Sequence, residues 1–493
     1  MEGRGMKKLN LITIILFIVI LLIPIVTFNF QPNQSSVIDN RKLTEFPSLS
    51  KETGITQLIK DMNSYFTDRI GCRSLMITSC VLIQEKLFGV LAHPIYAKGK
   101  DGYVFFKLVP QLTDYEYVNE FSEFVAKLQT YCKERGVGFL FSLEPNKQIV
   151  YQQYLPEGVN YKNDRVPLML KNLTEKNINH IYTAPALINA SKNTQVYNVK
   201  YDAGHWNDNG AFVGISQMLQ TLQQDYPSLS LPEKFDYNIS YELHTSLPVS
   251  YYPIYEEVPV YALKDSQITS VDTYKNEIKT NNTGWYYSYY QNPSKPTAPK
   301  ILVFMGSYFE YKEKFIAESF SETMFVHSYL NIQDFDYYFN IFQPDVVLFQ
   351  TADYATTDTY YPLDIIKNIN YNPSYSTFQN LPVTDFAYLS NNIGQELKDA
   401  ALSSKTQLTN FTFPVSGKKI AYAYAKIDGK TYDFRVTSSD GKQIISITMD
   451  KKVVLTAKEA QVIIISTDTK QQNVIPIKIE EQGTKEGTKG QGY

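Results

Sequence analysis

The longest apolar stretch lies at the amino end. No charge occurs over residues 9–28, and only Asn10, Thr13, Pro24 and Thr27 dilute it. At about 1.5 Å per residue, a helix of that length spans roughly one hydrocarbon thickness. Arg4, Lys7 and Lys8 precede it, so the pattern predicts a membrane-spanning signal-anchor over 9–30, with residues 1–8 cytoplasmic and the body extracytoplasmic. A cleaved signal peptide is the alternative, but its apolar core is shorter, and no small-x-small site follows Pro24. No second run of that length follows, which leaves a soluble body held by one helix.

Past a polar linker over 31–51 the periodicity turns helical. Ile55, Leu58, Ile59, Met62, Tyr65 and Phe66 recur at helical spacing, and Val118, Phe121, Val125, Leu128 and Cys132 mark a second amphipathic helix that Gly136 stops. Short apolar runs at 137–142, 181–182, 301–304 and 345–349 alternate with helices. That alternation predicts an α/β domain with a largely parallel, buried sheet, whose ligands sit at the carboxyl ends of the strands. Residues 236–298, rich in Tyr, Pro, Asn and Ser, break the pattern and read as an insertion of short strands and loops. Alternating stretches at 420–427, 432–436 and 461–465, with Asp428-Gly429 and Asp440-Gly441 as turns, predict an all-β module over 405–479. The Gly, Lys, Glu and Thr tail over 480–493 reads as disordered.

Charge and composition then narrow the chemistry. Lys and Arg number 47 against 50 Asp and Glu, a net charge of −3 over 493 residues, which excludes a polybasic nucleic-acid binder. Cysteines at 72, 80 and 132 fit no zinc or redox spacing; no metal and no cofactor are expected. There are 39 Tyr and 28 Phe but only 2 Trp. Such a surplus of phenols suits surfaces that stack on sugars, or reflects nothing more than the residue usage of an AT-rich genome.

Two places carry candidate chemistry. Asp202 stands three residues before His205 in Tyr201-Asp-Ala-Gly-His-Trp-Asn-Asp-Asn-Gly210, ahead of a helix bearing Phe212, Ile215, Met218, Leu219 and Leu222. A carboxylate at that spacing can hold the imidazole tautomer that leaves the other ring nitrogen free as a base. The plain alternatives are a structural His205 and, for Asp208, an ordinary helix cap. The second place is Ser307, in Ile301-Leu-Val-Phe-Met-Gly-Ser307, where a strand turns into a helix and Gly306 permits a tight backbone. Such a turn can expose a nucleophile beside backbone N–H donors, although a helix cap is the commoner use of a serine there. An Asp-His pair and a serine at loop ends of one sheet are the layout that acyl transfer requires.

The block Asp202-Ala-Gly-His205-Trp-Asn-Asp-Asn-Gly210 resembles the Asp-x-x-His block of SGNH/GDSL esterases. Its place before the serine resembles the circularly permuted SGNH-like proteins of polysaccharide O-acetylation, the alginate acetyltransferases AlgX and AlgJ. Asn40-Arg41-Lys-Leu43 with Phe46-Pro47, Asp68-Arg69 with Arg73, Gly99-Lys-Asp-Gly-Tyr103-Val-Phe105, Pro145-Asn146-Lys147 with Tyr151 and Leu155-Pro156, and Pro344-Asp-Val-Val347 resemble that family's marks in order, over about residues 38–355. Two departures stand out: the family commonly has Asp-x-His, and the residue before its serine is often Asp, here Gly306.

The resemblance implies an SGNH-hydrolase-like domain over 52–400, with Ser307 as acyl-accepting nucleophile, His205 as base and Asp202 as its orienting carboxylate. It further implies that Asn146, Lys147, Tyr151, Gly306 and Trp206 lie near the oxyanion or the substrate. The acceptor would be an exported polysaccharide, cellulose- or alginate-like, the donor a multipass membrane O-acyltransferase, and the setting a polysaccharide synthase complex at the cell membrane. The β module would hold the glycan or serve docking. An acetyl-esterase with the same triad and a non-catalytic glycan-binding or assembly subunit are the alternatives.

Overall fold

The computed structural model describes residues 2–36, 41–47, 54–91, 93, 95–107, 112–159, 161, 164–248, 250, 252–281, 287–389, 393–439, 442–467 and 470–477. The expected tail over 480–493, the Asp440-Gly441 turn, Asn40 and Trp285 lie outside them.

The apolar runs become the centre of one seven-stranded sheet. Its strands are β1 (Gly138–Glu144), β2 (His180–Tyr182), β3 (Thr269–Val271), β4 (Tyr287–Gln291), β5 (Lys300–Met305), β6 (Glu322–His327) and β7 (Val346–Ala352), in the spatial order β2-β1-β7-β5-β6-β4-β3. The first five in that order are mutually parallel, with Phe304 beside Phe349 and Ala352 beside Glu144. β4 and β3 extend the sheet antiparallel. Strands β5 and β7 are buried on both faces, which is why they read as continuous apolar runs and not as alternation. Helices Tyr115–Glu134 and Asp208–Gln223 cover the sheet with Val118, Phe121, Val125, Leu128 and Cys132, and with Ile215, Met218, Leu219 and Leu222. The fully buried Cys132 is a core residue, as its helical position implied.

The insertion is more ordered than its composition suggests. Tyr237–Ser246 and Pro253–Leu263 form a long antiparallel hairpin, and the stretch then supplies β3 and β4. Tyr237, Tyr261, Tyr274 and Tyr289 are buried in the main core, while Tyr241 and Tyr255 are exposed.

The β module is a seven-stranded antiparallel sheet in the order Ala387–Tyr388, Leu408–Gly417, Lys442–Asp450, Lys430–Ser439, Ile420–Ile427, Ala460–Ser466, Gln472–Ile477. Its core takes in Phe386, Leu397 and Ala401, so residues ahead of the expected start at 405 pack into the module. It is locked onto the α/β domain. Asp433 pairs with Arg135 at 2.8 Å and accepts from Tyr131, while Asn340 exchanges two hydrogen bonds with the Asp433 backbone.

Among the described residues no helix is long and apolar enough to cross a membrane. The anchor expected over 9–30 therefore finds no support there; residues 2–26 form one helix that contains Pro24. Over 11–26 that helix is apolar and exposed on every side, Phe17, Ile20 and Val26 among others. Within the expected linker, Ser35–Ser36 pairs antiparallel with Arg41–Lys42, and Arg41 makes a two-pronged pair with Asp68 at 2.6 and 2.7 Å.

Candidate active site

Three carboxyl ends of the parallel sheet form the floor of the site. β1 leads into Pro145-Asn146-Lys147, β5 into Gly306-Ser307, and β7 into Asp353-Tyr354. Because β7 lies between β1 and β5, these three ends are neighbours, and the loop over 196–207 arches across them.

Ser307, His205 and Asp202 form one hydrogen-bonded row. His205 Nε2 lies 2.9 Å from Ser307 Oγ, and His205 Nδ1 lies 2.8 and 3.0 Å from the two oxygens of Asp202. Asp202 adopts a left-handed φ of 47°, a conformation that Asp tolerates better than most residues. It lets the carboxylate also accept from the His205 backbone N–H at 3.2 Å. Burial works against charge on both groups, but they overcome it together: Asp202 is held below its ordinary value by the His205 charge and by hydrogen bonds, and His205 is raised above its own by Asp202. This is the arrangement in which a base takes a serine proton and a carboxylate steadies the resulting imidazolium.

Residues 97–244 match the family model of the SGNH hydrolase-like domain, acetyltransferase AlgX. The chain carries an AlgX-type domain. That bears out the resemblance drawn from the motifs, and with it the class of SGNH-like acyltransferase; the match takes in Asp202 and His205 and ends before Ser307. Solved structures similar to the chain include PatB1 of Bacillus cereus, at 19% identity over 52% of this chain and 95% of that one with a TM-score of 0.41. Others are the O-acetyltransferase domain of Pseudomonas putida AlgJ, at 14% identity over 56% and 99% with 0.39, and Pseudomonas aeruginosa AlgX, at 11% over 79% and 92% with 0.36. TM-scores at that level add no weight to the family match. No curated protein sequence matches the chain.

The other expected site residues support the AlgX-type domain from behind its site. Lys147 is fully buried, its Nζ donating to the carbonyls of Val104 at 2.7 Å and Val199 at 3.0 Å, and burial lowers its pKa to about 7. It ties the Tyr96–Phe106 hairpin to the loop that bears Asp202, and its ammonium is spent there. Asn146 caps the short helix after β1 and donates to Asp353 at 2.9 Å and to Tyr161 at 2.9 Å. Tyr151 accepts from the Val196 N–H. Trp206 donates from Nε1 to the Tyr308 carbonyl at 2.7 Å, joining the histidine segment to the serine turn. The Gly306 N–H donates to Gln350 Oε1 at 2.6 Å. Gly306 has a φ of −90°, open to any residue, so the turn does not need glycine for its backbone.

Asp208 is not a cap. Asn207 caps the helix by accepting from the Gly210 N–H, and the buried Asp208 accepts from Lys312 at 2.5 Å, from Lys314 at 2.8 Å and from the Tyr261 N–H at 2.9 Å. One carboxylate thus joins the histidine helix, the segment after the serine and the inserted hairpin. Glu256, on that hairpin, accepts the successive N–H groups of Val199, Lys200 and Tyr201 at 2.6, 2.8 and 2.6 Å. His244 stacks on Tyr201 at 3.6 Å. The insertion therefore buttresses the Asp202 loop. Sequence reading missed Glu256, Gln350 and Tyr354, whose hydroxyl lies 3.4 Å from Ser307 Oγ. None stands in a local motif; only the strand-end position of Gln350 and Tyr354 marked them.

Proposed function

We propose that the chain is a membrane-anchored, extracytoplasmic O-acetyltransferase that moves acetyl groups onto hydroxyls of an exported polysaccharide, cellulose- or alginate-like. The observation that carries the reading is the row from Ser307 through His205 to Asp202 in an AlgX-type domain. Ser307 Oγ attacks the acyl carbonyl as His205 takes its proton, and the leaving group departs with that proton. A sugar hydroxyl then attacks the acetyl-serine, gives its proton to His205, and Ser307 recovers it. A multipass membrane acyltransferase as donor and a synthase complex as source of the acceptor fit an enzyme whose apolar helix over 11–26 is exposed on every side.

Intact-mass measurement after incubation with an activated acetyl ester tests this. Addition of one acetyl group in the wild type, absent in Ser307→Ala, is the expected result. Subsequent transfer to glycan oligomers in preference to water separates a transferase from an esterase. No adduct and no turnover in the wild type overturns the reading.

A further inference from the structure

Among the described residues, helices Ile55–Arg69 and Arg73–Phe88 each leave a line of apolar side chains largely exposed, with Met62 half-buried and Phe66 partly covered by Phe28. The first presents Ile55, Ile59, Met62 and Phe66, and the second Met76, Cys80, Ile83 and Leu87, with the same steps of four, three and four residues. Steps of that kind draw one line along a helix. Neither line faces the core: Ile59 is 64% exposed, Ile83 56% and Leu87 69%, whereas the residues buried on the first helix are Tyr65, Asp68 and Arg69. Apolar surface on that scale calls for a partner.

The place where the two helices meet identifies it. The Ile70-Gly71-Cys72 junction is fastened to the end of the apolar helix Glu2–Val26. The Gly71 N–H donates to the Pro24 carbonyl at 2.9 Å, the Asn29 N–H to the Arg69 carbonyl at 2.9 Å, and Thr27 Oγ1 lies 3.6 Å from Cys72 Sγ. The chains approach so closely that a Cβ on Gly71 would stand 2.0 Å from Thr27 Oγ1. Phe28 packs against Tyr65 and Phe66, each with a centroid separation of 5.8 Å. The buried Arg69 sets the junction by donating to the carbonyls of Thr44 and Gln31 and pairing with Glu45 at 3.0 Å. Both stripes therefore begin where the apolar helix ends.

We propose that helices 55–69 and 73–88 lie on the lipid surface, with their stripes seated at the boundary between headgroups and acyl chains. The inference rests on that part of the functional reading which puts helix 2–26 into a membrane. A bilayer is favoured over a second protein because the fastened neighbour, exposed and apolar on every side over 11–26, matches acyl chains all round and no single groove. The catalytic body is then held at a set height and tilt and does not swing on a tether.

The test uses the full chain in vesicles of phosphatidylethanolamine and phosphatidylglycerol. An environment-sensitive fluorophore is placed at Ile59→Cys or Ile83→Cys, in a background carrying Cys72→Ser and Cys80→Ser, with Tyr388→Cys in the β module as control. Flotation reports insertion, and Ser307-dependent ester turnover reports folding of each variant. The expected result is a blue-shifted emission and several-fold stronger quenching by shallow spin-labelled lipid at 59 and 83 than at 388. Water-like emission at 59 and 83 in protein that floats overturns the inference and spares the anchor. Emission that turns apolar only when a membrane acyltransferase is added overturns it in favour of a protein partner. Protein that does not float overturns both the inference and the anchor, while the acetyl-serine assay still judges the chemistry.

Discussion

Asp202 stands only three residues before His205, and its left-handed φ of 47° carries the carboxylate back to within 2.8 Å of the ring. The same turn that strains the backbone orients the base.

Asp202→Asn keeps a residue type that tolerates this conformation and removes the charge. Ester turnover is expected to fall ~10²–10⁴-fold. Its acid limb should also move: His205 must be neutral to act, and Asp202 raises it above the ordinary value of 6.5, so the limb should shift to lower pH in the variant. A pH–rate profile of kcat/KM checks both. The sign for stability is opposite for the two partners. The His205 contribution is complete below 6.5 and is lost as pH rises through its raised value. The Asp202 contribution is present above 3.8 and is lost as pH falls through its lowered one.

Glu256 touches no reacting atom, yet it holds the three N–H groups that lead into Asp202. Glu256→Gln should lower kcat by about 10- to 10²-fold through misplacement of the loop, with KM for a small ester little changed. Steady-state kinetics with a thermal melt separates this from unfolding; an unchanged kcat in folded protein would sink the assignment.

Tyr354→Phe removes a hydroxyl 3.4 Å from Ser307 Oγ and leaves the His205 contact at 2.9 Å intact. Turnover should drop by roughly 10-fold, well short of the loss in Ser307→Ala, because one polar group beside the reaction is lost and the base is not. Rates of serine acetylation by rapid-quench mass measurement check it.

Glu144 is fully buried at the end of β1, accepting from Ser142 at 2.7 Å and Thr183 at 2.5 Å, and burial pushes its pKa up to about 8. A raised acid stabilises most below its ordinary 4.5, and that contribution is lost as pH rises through about 8. Glu144→Gln should remove this part of the pH dependence, on the order of a few kcal/mol. Chemical denaturation at pH 5 and pH 9 gives the comparison.

The sheet and the placing of Ser307, His205 and Asp202 in one row were the legible parts, for reasons that are local. β5 and β7 are buried on both faces and spell themselves as unbroken apolar runs, and Asp202 and His205 are near enough in sequence for their spacing to carry meaning. The place of Lys147 was not legible: the resemblance put it near the oxyanion or the substrate, whereas Val104 and Val199, arriving from distant segments, bury it with two carbonyl partners. The tyrosines of the insertion misled in the same way. Tyr237, Tyr261, Tyr274 and Tyr289 pack inward, and nothing in their local pattern distinguishes a core phenol from a sugar platform. The helix at Ile55 misled in reverse, since its spacing promised a core face that the fold leaves open.

The position of β7 also orders events in time. The histidine segment leaves the ribosome about a hundred residues before Ser307, but β1 and β5 share no edge in the sheet and are joined only through β7 between them. Such long-range parallel pairing is slow to form. A nascent chain of 307 to about 352 residues therefore carries both Ser307 and His205 but lacks the strand that ties β5 to β1 and completes the frame beneath them.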